Sequence, residues 1–260
     1  MVLKVWRLNL DKDNINNLGD RIRNNYEDRF RFMLPRRTYT IIRLDGKSFH
    51  NYTRNCEKPF DYNLIADLDS ATCLILDDIQ GSVFAFNQSD EISILVTDFK
   101  NINTEAWFDG NVQKIVSVSA SMLTAKFNEI VRTLHRVYNN SFAYFDSRVF
   151  IIPDAVEVEN YFIWRQKDAV RNSINAAAGC YFSDKELEGK SCEERQEMLF
   201  QKGINWNDYP DNAKRGRIIK RNNLVSSTCT TREWYSFDPP VFTQDRTYLQ
   251  ELIKLSERED

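Results

Sequence analysis

The 260-residue sequence predicts an α+β fold in which helices pack on an antiparallel sheet of split βαβ order. Three observations support this prediction. Short apolar runs alternate along the chain with segments in which apolar residues recur every three or four positions. Two of the apolar runs flank the sequence QSDE at residues 88–91, which is the pattern of a hairpin. A further helix-forming segment follows the last strand of this unit and forms a C-terminal extension.

The first part of the chain is expected to form an arm and then the sheet unit. The arm ends near residue 37, because Leu18, Ile22 and Tyr26 recur at four-residue spacing and Pro35 follows them. The predicted core elements come in the order strand, helix, hairpin, helix and strand, at residues 39–44, 62–78, 82–97, 112–138 and 148–152.

The extension begins after Pro153 with a long helix that is expected to end at about Ala178. Asp154 is a suitable N-cap for this helix, with Glu157 three residues later. Further predicted elements are two short helices with capping boxes at 183–186 and 191–194, a strand at 217–219 and a terminal helix at 246–255. The expected domains are therefore an arm (1–37), a core (38–152) and an extension (153–260), packed as one globular unit.

The composition is that of an ordinary soluble protein, with 42% hydrophobic residues, 28% charged residues and a formal net charge of −3. No apolar run is long enough to span a membrane and the N-terminus lacks an apolar signal region, so we expect a cytoplasmic protein with no membrane partner. The five cysteines are scattered and the histidines number two, which is not the pattern of a disulfide framework or a zinc site.

Two short acidic motifs are the strongest candidates for a functional site. LDGK at 44–47 ends the first predicted strand, and QSDE at 88–91 lies at the tip of the predicted hairpin. If that strand lies beside the hairpin, Asp45 and Asp90 meet at the same end of one sheet. Carboxylates that close repel each other unless a divalent cation lies between them, and Mg²⁺ bound to nucleotide phosphates prefers such ligands. The alternative is an ordinary turn at Asp45 and a solvated hairpin tip at Asp90.

Five ordered motifs resemble the tRNA(His) guanylyltransferase family, whose members are reverse (3′-to-5′) polymerases that add nucleotides to the 5′ end of tRNA. The resemblance runs from about Leu18 to Arg221, and the motifs are IRLDGKSFH at 42–50, KPFD at 58–61, QSDEIS at 88–93, FDSRV at 145–149 and WRQKD at 164–168. It implies a palm-like, ferredoxin-like sheet, two Mg²⁺ ions, ATP and GTP or other NTPs as substrates, tRNA as partner and a homotetramer.

One segment departs from the family pattern. Eukaryotic members carry a His-Ile-Asn-Asn-type motif shortly after the Trp-Arg-Gln sequence, where this chain has VRNSIN at 170–175. The chain therefore looks more like the guanylyltransferase-like branch, which repairs truncated 5′ ends of various tRNAs with the opposite strand of the acceptor stem as template. The alternatives are a tRNA(His) guanylyltransferase, a palm-fold nucleotidyl cyclase and a tRNA-binding module without catalysis.

The resemblance also implies the site residues. The metal ligands would be Asp45, Asp90 and the backbone carbonyl of Gly46, and Glu91 would join the two aspartates as a catalytic residue, although it also suits a plain strand edge. The nucleotide-binding residues would be Gly46, Lys47, Ser48, Phe49 and His50 in the phosphate loop, Ser89 beside the metal, Lys58 and Asp61 around the base, and Lys114, Arg148 and Arg195 on a second triphosphate.

Two surface features are also expected. The basic block KRGR at 214–217, with Lys220 and Arg221, would form a patch that neutralises tRNA phosphates, or else a solvated basic strand. On the long helix, one face carries four polar residues that are expected to be exposed to solvent rather than turned to substrate: Arg165, Asp168, Asn172 and Asn175.

Overall fold

The computed structural model describes residues 12–139, 141–225 and 230–255. Within these ranges, every helix is too short or too polar to cross a bilayer. The first eleven residues of the predicted arm lie outside the described residues, as does the end of the chain after residue 255.

The helices and strands follow one another in three groups. The arm contains α1 (Lys12–Ile22), a π-helical turn (Arg23–Glu27) and a 3₁₀ turn (Asp28–Phe30). The core contains β1 (Tyr39–Gly46), α2 (Phe49–Tyr52), α3 (Tyr62–Asp78), β2 (Ser82–Gln88), β3 (Glu91–Val96), a 3₁₀ turn (Trp107–Gly110), α4 (Val112–Thr133) and β4 (Phe145–Ile152). The extension contains α5 (Ala155–Gly179), α6 (Asp184–Leu187), α7 (Cys192–Gln201), a 3₁₀ turn (Trp206–Asp208), α8 (Asp211–Lys214), β5 (Arg217–Val225), β6 (Thr230–Phe237) and α9 (Arg246–Lys254).

The six strands form one antiparallel sheet in the order β4-β1-β3-β2-β5-β6. The first four strands have the order of a split βαβ unit, which confirms the predicted fold class. Strands β5 and β6 continue the sheet beyond β2. The predicted extension thus contributes two strands to the sheet of the predicted core, while the division into three domains stays a prediction.

Helices cover both faces of the sheet because successive strand residues point to opposite sides. Ile42 and Leu44 of β1 belong to the apolar cluster beneath α3 and α4. Ile41 belongs to the cluster on the other face, beneath α5 and α9. A smaller cluster, which includes Ile174 and Leu199, joins the second half of α5 to α7. The long helix α5 therefore connects the sheet to the helical part of the extension.

Three boundaries differ from the predictions for identifiable reasons. β1 continues to Gly46 and β4 begins at Phe145 because these two residues pair with each other across the sheet. Helix α4 ends at Thr133 rather than near residue 138, and His135 beyond it has a φ of 53° that is incompatible with a continuing helix. Strand β6 was not predicted, since its polar and aromatic residues do not alternate clearly.

The predicted basic patch at residues 214–217 is wrong for two of its three cations. Lys214 is buried, and its Nζ donates to the carbonyl of Asn207 at 2.7 Å. Arg217 is also buried, and its Nη2 lies 3.0 Å from Oδ1 of Asp69. Arg215 forms an ion pair with Asp211. Lys214 and Arg217 therefore stabilise the fold, and they are not a surface for phosphates.

Asp69 of α3 is the centre of a buried polar network. It accepts hydrogen bonds from Arg217 of β5, from Asn87 of β2 at 2.9 Å and from Ser236 of β6 at 2.6 Å. A buried carboxylate is stable when its oxygens are paired in this way. The network therefore ties three strands to one helix on the side of the sheet that α3 covers.

Replacing Gly216 with alanine should destabilise the fold. Gly216 has a φ of +80°, and a Cβ there would lie 2.7 Å from the carbonyl oxygen of Asn87. We expect Gly216→Ala to lower the free energy of unfolding by about 3 kcal/mol, measured by urea denaturation. Gly189→Ala is the matched control, because Gly189 has a φ of +70° but open space around it. This control should cost about 1 kcal/mol, and equal losses in the two variants would contradict the steric explanation.

Candidate active site

The predicted convergence of the two acidic motifs depends on the pairing of β1 with β3. These strands are antiparallel neighbours, with Arg43 opposite Ser93 and Leu44 opposite Ile92. Continuing this register places residues 45 and 46 beside residues 91 and 90. The prediction that the first strand lies beside the hairpin is therefore confirmed, and Asp45 and Asp90 lie at one end of the sheet.

Gly46 makes this close approach possible. A Cβ at position 46 would lie 2.6 Å from Oδ2 of Asp90 and would also overlap the ring of Phe49. Any side chain here would therefore displace the Asp90 carboxylate or the phenyl ring below it. Glycine lets the backbone at the end of β1 pass directly beside a carboxylate.

Asp90 is held in surroundings that disfavour its charge. Burial raises the pKa of Asp90 to about 6, and the negative charge of Asp45 acts in the same direction. A backbone hydrogen bond and the hydroxyl of Ser89, 3.0 Å from Oδ1, oppose this shift in pKa without cancelling it. The two aspartates are thus close enough for the charge of one to disfavour ionisation of the other.

Asp45 lies between positive and negative neighbours. Burial raises the pKa of Asp45, and the guanidinium of Arg43 is the strongest opposing influence. Asp146, which faces Asp45 in the register of β4, raises the pKa, while Arg148 lowers it. The Nη2 atom of Arg148 lies 3.7 Å from Oδ2 of Asp45. Burial, together with the charge of Asp146, therefore disfavours the ionised form of Asp45 more than the nearby arginines favour it.

The donor set fits a divalent cation of the Mg²⁺ type. Asp45 and Asp90 offer hard oxygen ligands, and a cation near both would offset the burial and the like charge that raise the pKa of Asp90. Across residues 12–139, 141–225 and 230–255, histidine, cysteine, aspartate and glutamate side chains do not meet in groups of three or more suited to a metal. Mg²⁺ is typically held by one or two carboxylates, with water and substrate phosphates as the other ligands. Two neighbouring aspartates, of which Asp90 borders a cavity, fit that pattern.

A cavity of about 320 Å³ adjoins Asp90. Its volume lies in the range of small-molecule sites. Six of the predicted site residues line it: Phe49, His50, Lys58, Asp61, Ser89 and Asp90. The opposite wall comes from α5, through residues that include Asn172 and Ser173. The fold thus brings together residues that are more than 80 positions apart in the chain.

The predicted phosphate loop has a sharp turn at its centre. Ser48 has a φ of 51°, and the short helix α2 starts directly after it. The amide of Lys47 donates to the carbonyl of Tyr144 at 2.8 Å, so this amide is already used within the fold. Phe49 is buried, with its ring centroid 5.5 Å from that of Phe145. The binding role of Lys47, Ser48 and Phe49 stays a prediction.

Lys58 and Asp61 both border the cavity, but the carboxylate of Asp61 has another role as well. Asp61 is the N-cap of α3, where its Oδ1 accepts from the amide of Leu64 at 3.0 Å and its Oδ2 from that of Glu57 at 3.1 Å. The Nζ atom of Lys58 donates to the carbonyl of Thr53 at 3.3 Å. Contact of either residue with a nucleobase stays a prediction.

Comparison with known proteins identifies the family. A family model described as "Thg1: tRNAHis guanylyltransferase" matches residues 20–153, which is more than half of the chain. This protein belongs to the Thg1 family. The match covers Asp45, the hairpin with Asp90 at its tip and all four strands of the split βαβ unit.

Individual members of the Thg1 family match over most of their length. A solved structure of a bacterial Thg1-like protein in complex with ATP is 40% identical, covers 92% of this chain and 99% of that chain, and superposes with a TM-score of 0.83. A bacterial Thg1-like protein in complex with GTP is 38% identical, with coverages of 91% and 99% and a TM-score of 0.79. The tRNA(His) guanylyltransferase of Saccharomyces cerevisiae is 28% identical over 72% of this chain and 84% of its own. Thg1 family tRNA guanylyltransferases are nucleotidyltransferases, and this chain is accordingly an enzyme of that class.

The cations expected from the Thg1 pattern lie in different places. Arg148 is beside Asp45, as described above. Lys114 is exposed at the start of α4, with its Nζ 5.9 Å from the ring centroid of Phe108. Arg195 of α7 donates to Asn175 at 3.0 Å and to the carbonyl of Leu187 at 2.9 Å, and it does not line the cavity. A joint role of these three residues on a triphosphate stays a prediction.

Glu91 lies in a buried ion-pair network. Arg165 of α5 donates to both of its carboxylate oxygens, at 2.7 and 2.8 Å, and Arg43 of β1 donates to one of them. The expectation that Arg165 faces solvent is therefore wrong, since Arg165 is one of the largest fully buried side chains. Glu91 is placed to orient these arginines beside Asp45, and its predicted catalytic role stays a prediction.

The other three residues of the predicted polar face of α5 differ in environment. Asp168 is partly buried and accepts from Arg165 at 2.6 Å, whereas Asn172 is exposed at the edge of the cavity. Asn175 is partly buried against Arg195. The expectation of a solvent face is therefore wrong for most of this set, because helix periodicity does not reveal the charged side chains of β1 and β3 on which α5 packs.

Gln88 lines the cavity, although the sequence analysis assigned it no role. Its side chain is buried and lines the cavity, and its Oε1 atom has no hydrogen-bond partner among the described residues. An unpaired buried acceptor is costly unless a ligand or water supplies a donor. Gln88 is the first residue of the QSDE motif at 88–91, but only the fold shows that its side chain borders a cavity.

The raised pKa of Asp90 makes a prediction about stability. Because the folded state holds this proton up to about pH 6 and an unfolded aspartate loses it near its ordinary pKa of 3.8, stability should fall as pH rises between these values. The isosteric variant Asp90→Asn avoids this penalty. Relative to wild type, it should gain about 1–3 kcal/mol of unfolding free energy between pH 4 and pH 7.5, measured by urea denaturation with a chelator present. Added Mg²⁺ should reduce the difference, and a difference independent of pH would contradict the assignment.

Proposed function

We propose that this protein is a cytoplasmic tRNA repair enzyme that adds nucleotides in the 3′-to-5′ direction to the 5′ end of tRNA, with the opposite strand of the acceptor stem as template. The observation that carries this proposal is the meeting of Asp45 and Asp90 beside a cavity of nucleotide-compatible size, in a chain of the Thg1 family. The bacterial Thg1-like proteins solved with ATP and with GTP support nucleoside triphosphates as substrates.

The reaction would have two steps at one site. The 5′-monophosphate of the tRNA would first attack the α-phosphate of ATP and release pyrophosphate. The 3′-hydroxyl of an incoming NTP would then attack the adenylylated 5′-phosphate and release AMP. A 5′-triphosphorylated tRNA would need no activation. Asp45, Asp90 and the backbone carbonyl of Gly46 would hold two Mg²⁺ ions, which when bound neutralise phosphate charge and polarise the attacking hydroxyl.

The remaining site residues would bind and orient the nucleotide. The base would occupy the cavity between Lys58 and Asn172, where the unpaired Oε1 of Gln88 can accept a hydrogen bond from an amino group. The phosphates would extend towards Asp90 past the turn at Ser48, and His50, which lines the cavity, would donate to them. Arg148 lies near enough to Asp45 to bind a second phosphate chain.

Repair is preferred to tRNA(His) guanylylation because of one segment of α5. The sequence VRNSIN at 170–175 lacks the histidine of the eukaryotic motif. Residues 172 and 173 of this segment line the cavity, so the departure falls at the proposed substrate site.

A homotetramer is also part of this proposal. In the single chain, the apolar stripe of the arm is exposed at Leu18, Ile22, Tyr26 and Phe30. An apolar stripe of this length is usually covered by another chain. Contact between copies of the chain would remove it from water.

A substrate panel tests the proposed function. The purified protein is incubated with Mg²⁺, ATP and labelled NTPs, together with tRNAs lacking their first nucleotide or with intact tRNA(His). We expect the missing nucleotide to be restored to truncated tRNAs according to the template base. Preference for intact tRNA(His), with untemplated guanosine addition, would overturn the repair assignment. Formation of a cyclic nucleotide from ATP or GTP alone would identify a cyclase instead.

The carboxylate variants show whether the proposed site performs this reaction. Asp45→Ala and Asp90→Ala should each reduce nucleotide addition by at least about 100-fold. Circular dichroism should show an unchanged fold, because Asp45 is at a strand end and removal of Asp90 relieves repulsion. Wild-type activity in either variant would contradict the metal assignment.

A further inference from the structure

The exposed side of α5 carries one large aromatic residue among charged residues. Trp164 is 52% exposed, and Lys167, Asp168 and Arg171 follow it at the spacing of one helix face. Most other large apolar residues in this half of α5 are buried, including Tyr161, Phe162 and Ile163. An exposed tryptophan surrounded by charge is typical of binding surfaces rather than of a protein core.

The indole of Trp164 is held in place from within the protein. The guanidinium carbon of Arg165 lies 4.2 Å from the ring centroid, and that of Arg43 lies 5.9 Å from it. Both arginines are fixed by the buried carboxylate of Glu91. Tyr161 contacts the indole edge-on at a centroid distance of 5.9 Å. The ring is therefore rigid before any ligand binds, and little conformational entropy remains to be lost.

This surface is next to the proposed reaction centre. Arg43, whose guanidinium carbon lies 5.9 Å from the indole centroid, is two residues before Asp45 on β1. Glu91, which accepts from both Arg43 and Arg165, is adjacent to Asp90. Further along α5, Asn172 lines the nucleotide cavity, and eight residues of helix place it about 12 Å from Trp164. A substrate lying along this face of α5 would thus reach Asp45 and the cavity from Trp164.

The charge around Trp164 suits a phosphate backbone. Three guanidinium groups, on Arg43, Arg165 and Arg171, share the two carboxylates of Glu91 and Asp168, which leaves one net positive charge. Lys167 is exposed on the same face. Single-stranded or terminal nucleotides bind where aromatic rings alternate with cations in this way.

We propose that Trp164 is a stacking platform for the base of the 5′-terminal nucleotide of the RNA substrate. Stacking there would hold the terminal base while its 5′-phosphate lies at Asp45 and Asp90, and Lys167 and Arg171 would bind the neighbouring phosphates. This inference rests on the proposed function, because it needs an RNA 5′ end as substrate. Trp164 is a positioning residue in this account.

A double-mutant cycle tests the stacking contact. The probe is a 5′-monophosphorylated RNA hairpin that mimics an acceptor stem, made with either a normal or an abasic 5′-terminal nucleotide. Its affinity is measured by fluorescence anisotropy at fixed salt. Wild type should bind the normal hairpin about 10-fold more tightly than the abasic one. Trp164→Leu should bind both hairpins equally, whereas Trp164→Phe should retain most of the discrimination.

Phe200→Leu is the matched control, since Phe200 is an exposed aromatic residue of α7 outside the proposed site. It should behave as wild type. Unchanged discrimination in Trp164→Leu would overturn the inference, and so would an equal loss of affinity for both hairpins. A changed oligomeric mass of Trp164→Leu in sedimentation would also overturn it, because the ring would then be a subunit contact. These failures would leave templated nucleotide addition by wild type intact, whereas failure of the proposed function would abolish that addition.

Discussion

The antiparallel pairing of β1 with β3 is the interaction on which the rest of the site depends. This register puts two aspartates, 45 positions apart in the chain, at one end of the sheet. Gly46, which follows Asp45, lies directly beside Asp90. A side chain at position 46 would collide with the Asp90 carboxylate and the ring of Phe49, and burial together with the charge of Asp45 raises the pKa of Asp90. The fold thus holds the Asp90 carboxylate in surroundings that disfavour its ionised form, and shifted pKa values of this kind are typical of functional sites. A divalent cation bridging to a nucleotide's phosphates would remove the repulsion.

Two other buried carboxylates have their negative charge neutralised by arginines and further hydrogen-bond donors. Glu91, adjacent to Asp90, is held by two arginines, and Asp69 is held by Arg217, Asn87 and Ser236. Both networks join segments that are distant in sequence. The Glu91 network attaches α5 to the sheet, and the Asp69 network attaches α3 to β2, β5 and β6. Asp90 lies within the same structure but has only the hydroxyl of Ser89 as a side-chain partner in the described ranges. The contrast separates carboxylates that stabilise the fold from one that is available to a ligand.

Much of the fold could be predicted from local patterns. Apolar runs located β1, β2 and β3, and the N-cap at Asp154 and the capping boxes at Ser183 and Ser191 located three helices of the extension. Strand β6 was missed because its residues pair with β5 and pack on α3 without a clear alternating pattern. The buried state of Lys214 and Arg217 was also unpredictable, since the partner of Arg217 is Asp69, 148 positions earlier. Local sequence shows that a residue is charged but does not show which distant residue neutralises it.

Some features of the candidate site could likewise be predicted from local sequence, and others could not. The position of Asp45 and Asp90 followed from the predicted strand order, because neighbouring strand ends must meet. The cavity wall formed by α5 and the place of Arg165 beneath Trp164 depend on how the extension folds back onto the core. Such contacts are set by packing over more than 70 residues of separation, which no motif spacing encodes.

The central claim is that Asp45 and Asp90 together hold divalent ions beside a bound nucleotide. Electron paramagnetic resonance of Mn²⁺, in the presence of a non-hydrolysable ATP analogue, measures this most directly. The account predicts two ions bound to wild type, at least about 10-fold weaker binding in Asp45→Asn and Asp90→Asn, and unchanged binding in Asp146→Asn, a neighbouring carboxylate that is more exposed. Wild-type Mn²⁺ binding in either of the first two variants would contradict the account.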